Sequence, residues 1–100
     1  MEEVNLKLNE KGQGAFYISE DGEQLGEMEV SVSGNYLTVY HTEVSPKAEG
    51  KGFAKKLLTT MVDYARSKGL QVIPICPYVH AQFKRHPDEY KDVWSKTNEV

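Results

Sequence analysis

The apolar period of this chain changes once, and the change falls at two glycines. Up to Val44 apolar residues alternate with polar ones, the pattern of half-buried strands. From Phe53 they recur every four residues: Phe53, Leu57, Met61 and Ala65 in one row, Ala54, Leu58 and Val62 in the next. That stripe predicts an amphipathic helix over about Lys51–Lys68. The stretch between is His41-Thr42-Glu43-Val44-Ser45-Pro46-Lys47-Ala48-Glu49-Gly50-Lys51-Gly52-Phe53-Ala54. It leads from a strand through a proline turn to a helix mouth. Glycines there let a bound group come close to the backbone. The first turn of a helix has free N–H groups and a partial positive charge, which suit a phosphate. Alone, Gly-x-Gly before a helix more often marks an ordinary connection, so the context has to decide.

Four strands are expected before the helix. Val4, Leu6 and Leu8 alternate with Asn5, Lys7 and Asn9, and Gly12 and Gly14 mark the turn that follows. Ala15–Ser19 is rich in aromatic and β-branched residues, and Asp21-Gly22 is a hairpin signal. Met28, Val30 and Val32 alternate with Glu27, Glu29 and Ser31, and Ser33-Gly34-Asn35 turns the chain again. Tyr36–Val44 is the fourth run, with Leu37, Val39, His41 and Glu43 expected on one face and Tyr36, Thr38, Tyr40, Thr42 and Val44 on the other. The short links imply an antiparallel meander.

Gly69 follows Arg66 and Lys68 as a helix C-cap, and Leu70–Ile75 reads as a fifth strand. A strand–helix–strand unit crosses over right-handed, which sets the fifth strand parallel to the fourth. Pro74 cannot donate to a ladder. It marks either an edge strand or the point where two parallel strands diverge. Divergence would leave backbone groups on the fourth strand free for an extended, amide-containing ligand. Pro77 suits the start of a helix to about His86, which Pro87 ends. Tyr90, Val93 and Trp94 imply one further short helix, with a frayed tail from Ser95.

The whole is expected to be one mixed α/β domain over residues 1–100, large enough for a single core. A net charge of −3 argues against general nucleic-acid binding. One cysteine excludes an internal disulfide and fits a reducing, cytoplasmic setting. Cysteine and histidine are too few and scattered for a structural zinc site. The acidic start Met1-Glu2-Glu3 has no apolar stretch, so neither a signal peptide nor a membrane span is expected.

In this setting Lys47-x-x-Gly50-x-Gly52 resembles the Arg/Gln-x-x-Gly-x-Gly/Ala signature of the GNAT acetyltransferase superfamily. The chain is most similar to small stand-alone GNAT-like proteins, in His41-Thr42-Glu43-Val44, in the glycine loop, in Pro74-x-Cys76-Pro77-Tyr78 and in Arg85-His86-Pro87. The resemblance covers about Tyr36–Trp94. It implies an acetyl-CoA site in which Lys47, Gly50, Lys51, Gly52, Phe53 and Ala54 hold the pyrophosphate. It also implies that the Val44 backbone pairs with the pantetheine arm, between the two diverging strands. Two departures matter. Lys47 keeps the charge of the signature's arginine but not its planar fork. The N-terminal helices that roof the acceptor in larger members have no room here, so the acceptor pocket should be open or completed by a partner.

The remaining candidates have two readings each. Lys55 and Lys56 read as a solvated helix face. Glu43 is either a base for the attacking amine or a surface charge, and His41 either assists it or is structural. Cys76 is a small buried hydrophobe, a residue lining the thioester, or a nucleophile activated by the helix that Pro77 begins. Tyr78 either protonates the leaving thiolate or packs. His80, Phe83 and Arg85 border the CoA groove on this reading, and His86, Tyr90 and Trp94 pack or cap. The function implied is transfer of acetyl from acetyl-CoA to a small amine or protein acceptor, by direct attack and without a metal. The alternatives are a non-catalytic acyl-CoA-binding module acting through a protein partner, and a binder of another phosphorylated ligand.

Overall fold

A computed structural model describes residues 1–95. Five strands form one sheet in the order β1-β2-β3-β4-β5: β1 Glu2–Leu8, β2 Gln13–Glu20, β3 Glu23–Ser33, β4 Tyr36–Val44 and β5 Gln71–Pro74. The first four pair antiparallel, and β5 pairs parallel to β4. Three helices follow the meander: α1 Phe53–Lys68, α2 Pro77–Arg85 and α3 Pro87–Tyr90. The expected architecture is therefore present, with small shifts at its boundaries. The fifth strand is shorter than Leu70–Ile75, and the long helix begins at Phe53 rather than Lys51. It begins there because Gly52 is left-handed, at φ 74°, and cannot continue a helix backwards. Among the described residues no helix is long and apolar enough to cross a membrane.

The core explains the patterning. Phe16, Ile18, Met28, Val30, Leu37, Val39 and Val72 point from one sheet face into a cluster with Phe53, Leu57, Leu58, Met61, Val79 and Phe83. Burial of each such side chain contributes about 1.5–3 kcal/mol. The shortest dimension of the Cα trace is 20 Å, which admits two layers and no third. The opposite sheet face carries Asn5, Lys7, Tyr17, Glu27, Glu29 and Tyr40, and among the described residues no helix lies over it.

The C-terminal segment does more than dock a helix. Phe83 stacks on Tyr90 at 4.7 Å between ring centroids and tilts against Trp94 at 5.6 Å. Past α3 the chain returns beside β5: Val72 N–H donates to Val93 C=O at 2.6 Å, and Ser95 N–H donates to Val72 C=O at 2.9 Å. This covers the outer edge of β5. Ser95 is buried, so fraying does not start there, and the rest of the expected tail lies outside the described residues.

Candidate active site

The site forms where β4 loses its neighbour. Pairing with β5 runs only from Tyr36–Gln71 to Val39–Pro74. One more bond, from Cys76 N–H to Val39 C=O at 2.8 Å, closes the junction. Pro74 thus occupies the last paired position, where its missing donor costs nothing. It is buried, and the Val93–Ser95 return shields its strand, so divergence rather than an exposed edge accounts for the proline. From Tyr40 onward β4 has no partner on that side among the described residues.

A bulge corrects the expected facing of β4. Glu29 pairs with His41 but Val30 pairs with Val39, which leaves Tyr40 as an extra residue. The side-chain alternation is reset there. Thr42 and Val44 turn toward the helix-covered face, and His41 and Glu43 turn to the open face with Tyr40, not to the side of Leu37 and Val39. Ser45 N–H donates to Leu25 C=O at 2.7 Å, on the β3 side. By alternation along the strand, the Val44 N–H and C=O face the opposite side, into the split. A single extra residue leaves no mark in composition, so the sequence could not reveal it.

The glycine loop closes one end of the split. Ser45 caps a single 3-10 turn, Pro46–Ala48, by accepting from Lys47 N–H at 3.2 Å. Gly50 and Gly52 both have positive φ, 86° and 74°. A Cβ at either would meet nothing within 4 Å, so the backbone there is bare to approach. The Gly52 cap has no side-chain hydrogen bond, and the first-turn N–H groups of Phe53, Ala54 and Lys55 have no intrahelical acceptor. Phe53's ring is buried in the core, so only its backbone is offered. An oxyanion fits this cradle on these grounds.

The lysines beside it are engaged with carboxylates. Lys47 Nζ lies 2.7 Å from Glu23, Lys51 Nζ lies 2.6 Å from Glu20, and Lys56 pairs with Glu2. The hydrogen bonds that Lys47 and Lys51 donate to Glu23 and Glu20 raise these ammonium groups above their usual pKa. These pairs are solvent-exposed and hold weakly, so an incoming phosphate can take the lysines over.

At the other end, Cys76 is the N-cap residue of α2 and is 2% exposed. Its Sγ lies 3.3 Å from Thr42 Oγ1. Tyr78 is half-buried, and burial, with Cys76 nearby, pushes its hydroxyl above the usual range, so it stays protonated. His80 packs its ring against Trp94 at 5.9 Å. Arg85 is exposed on the last turn of α2, about 12 Å along the helix from Pro77. His86 caps α2 and opens α3 through its backbone.

Residues 15–93 match the model of the GCN5-related N-acetyl-transferase family. The chain belongs to that family. A GCN5-like protein from Staphylococcus aureus, solved by NMR in solution, is 30% identical with a TM-score of 0.66, over 95% of this chain and 91% of the other. Nourseothricin acetyltransferase is 27% identical with a TM-score of 0.57, over 76% of this chain and half of the other, 50%. A ribosomal-protein-alanine N-acetyltransferase from Brucella melitensis biovar Abortus 2308 shares the fold, at 18% identity and a TM-score of 0.64, over 91% of this chain and 67% of the other. No curated protein sequence matches this chain.

Proposed function

We propose that this protein is a minimal acetyl-CoA-dependent N-acetyltransferase, one domain over residues 1–100, acting by direct attack of an amine. The observation that carries this reading is the split itself. The Val44 backbone is turned into it, the bare glycine loop lies at one end, and Cys76 and Tyr78 lie at the other.

The backbone N–H groups of Gly52, Phe53 and Ala54 bind the pyrophosphate, with Gly50 leaving room for it and Lys47 and Lys51 adding charge. Val44 pairs with the pantetheine amides as a strand would, and Arg85 adds charge at the rim. Acetyl-CoA supplies an acetyl thioester, whose carbon an amine attacks with loss of the thiol. Glu43 accepts the proton that the amine gives up, directly or through water, with His41 beside it on the open face. Tyr78, kept protonated by burial, returns a proton to the departing thiolate. Cys76 lines the thioester pocket. Its Sγ contacts a hydroxyl, Thr42 Oγ1, and the ring of the nearest histidine along α2 packs on Trp94, so no base is dedicated to making it a nucleophile.

A second reading has one observation in its favour. Among the described residues the face that carries Glu43 has no roof, which suits an acyl-CoA-binding module completed by a partner protein. Thermal titration tests the shared step. CoA at ~100 times its Kd should stabilise the fold by about 2.7 kcal/mol, a Tm rise on the order of 10 °C for a chain of this size. ADP should compete only weakly. No shift with millimolar CoA would overturn both readings.

A further inference from the structure

The open sheet face, opposite the helices, holds a groove. A cavity of about 550 Å³ is walled by Tyr17, Glu27, Glu29, Ser31 and Tyr40. Glu27 also walls a smaller hollow of about 210 Å³ with Gly26, Glu43 and Val44. The two hollows share Glu27 as a wall, and Glu43, its partner on β4, walls the second.

Its charge opposes the stability of the sheet. Glu27 and Glu43 are direct cross-strand partners, and like charges so placed are destabilising. Glu29 follows on the same face, opposite His41. Among the described residues none of these three carboxylates has an ion-pair partner, whereas Glu2, Glu20 and Glu23 each have a lysine. Glu27 accepts only a long bond, 3.5 Å, from Gln24 Nε2. Lys7 Nζ lies 6.0 Å from the Tyr17 ring centroid. Lys7 is on β1, three strands from Glu43 and two from Glu29, with Ala15 of β2 between Lys7 and Glu29. Tyr40 Oη is fixed 2.8 Å from Ser31 Oγ, which holds the wall in place.

We propose that this groove is the acceptor site and that the acceptor is an aliphatic primary amine carrying a second cationic group. The inference rests on the acetyltransferase reading. Glu27 and Glu29, whose Cα atoms lie about 7 Å apart along β3, hold the distal cation. The tyrosine rings flank the hydrocarbon, and the reacting amine lies at Glu43, beside the split.

The probes are 1,4-diaminobutane and n-butylamine, compared on the wild type and on the double variant E27Q/E29Q. Relief of the repulsion should leave the Tm of E27Q/E29Q unchanged or raised, which confirms folding. By calorimetry without acetyl-CoA, the diamine should bind at least tenfold more tightly than the monoamine, less so at high salt. The double variant should abolish that preference. With acetyl-CoA present, the diamine should have the lower KM, and E27Q/E29Q should raise it about tenfold with kcat retained. Equal binding of the two probes, or indifference to E27Q/E29Q, overturns the inference while transfer to other amines leaves the enzyme reading intact. Diamine binding with no acetyl transfer, although CoA binds, overturns the acceptor role. Failure of CoA to bind overturns the reading beneath it.

Discussion

Thr42 Oγ1 and Cys76 Sγ meet at 3.3 Å across the gap where β4 and β5 part. The contact exists because the bulge at Tyr40 turns Thr42 to the helix-covered face, and because Cys76 begins α2 directly after β5. It ties the two sides of the split together and gives the thiol a hydroxyl neighbour rather than a base.

Cys76 therefore should not carry the acetyl group. Replacing it, as Cys76→Ala, is expected to reduce kcat by less than about tenfold, ~1.4 kcal/mol of barrier. Intact-mass analysis after acetyl-CoA should find no adduct on Cys76. An adduct there that discharges on adding an amine, together with loss of nearly all activity in the variant, would establish a ping-pong route instead.

Glu43 lies on the open face, opposite Glu27, which we propose is the acceptor side, so its loss should affect chemistry more than cofactor binding. For Glu43→Gln we expect kcat to fall on the order of 100-fold while calorimetric CoA affinity stays at the wild-type value. A fall of less than threefold would assign the proton to solvent.

How much of this was legible in the sequence depends on the range of each signal. The meander, α1 and the parallel β5 follow from period, turn residues and connection length, all local. Gly69 caps α1 as its position implied, donating to Arg66 C=O at 3.4 Å. The bulge at Tyr40 was not legible, because an inserted residue changes phase without changing composition. The edge of β5 was not legible either, since Val93, Trp94 and Ser95 reach Val72 across twenty residues of chain. Nor were the partners of Lys47, Lys51 and Lys56, whose carboxylates lie on β1, on β2 and at the start of β3. His41 and Glu43 were singled out as residues, but the face they occupy needed the bulge.

Gly52 separates loop geometry from loop chemistry. An added Cβ there meets nothing within 4 Å, so the main cost of Gly52→Val should be its left-handed backbone, roughly 1–2 kcal/mol. It should nonetheless weaken CoA by on the order of 100-fold, ~2.7 kcal/mol. Circular dichroism and calorimetry on the same sample decide. A folded variant with wild-type affinity would move the phosphate site elsewhere.

Asp92 gives the C-terminal return an acid-sensitive clip. Arg66 Nε donates to Asp92 Oδ2 at 2.7 Å, and Arg66 Nη2 donates to Glu89 C=O at 2.7 Å. The hydrogen bond from Arg66 lowers the Asp92 pKa. A carboxyl lowered on folding contributes stability above its unfolded value, about 3.9, and that contribution is lost as pH falls through the folded value. Both side chains are substantially exposed, so Asp92→Asn should cost roughly 0.5 kcal/mol at pH 7 and less below pH 3. Urea midpoints at the two pH values check this. An equal loss at both would show that the charge is not what Asp92 contributes.

The most direct test of acetyl transfer uses isotope-labelled acetyl-CoA, a panel of amines that includes diamines and peptides, and mass spectrometry of every product. The account predicts labelled acetyl on the nitrogen of an added amine, in step with free CoA and strongly reduced with Gly52→Val at the same acetyl-CoA concentration. Label on no amine, with CoA still bound by the wild-type protein, would contradict it and leave a binding module.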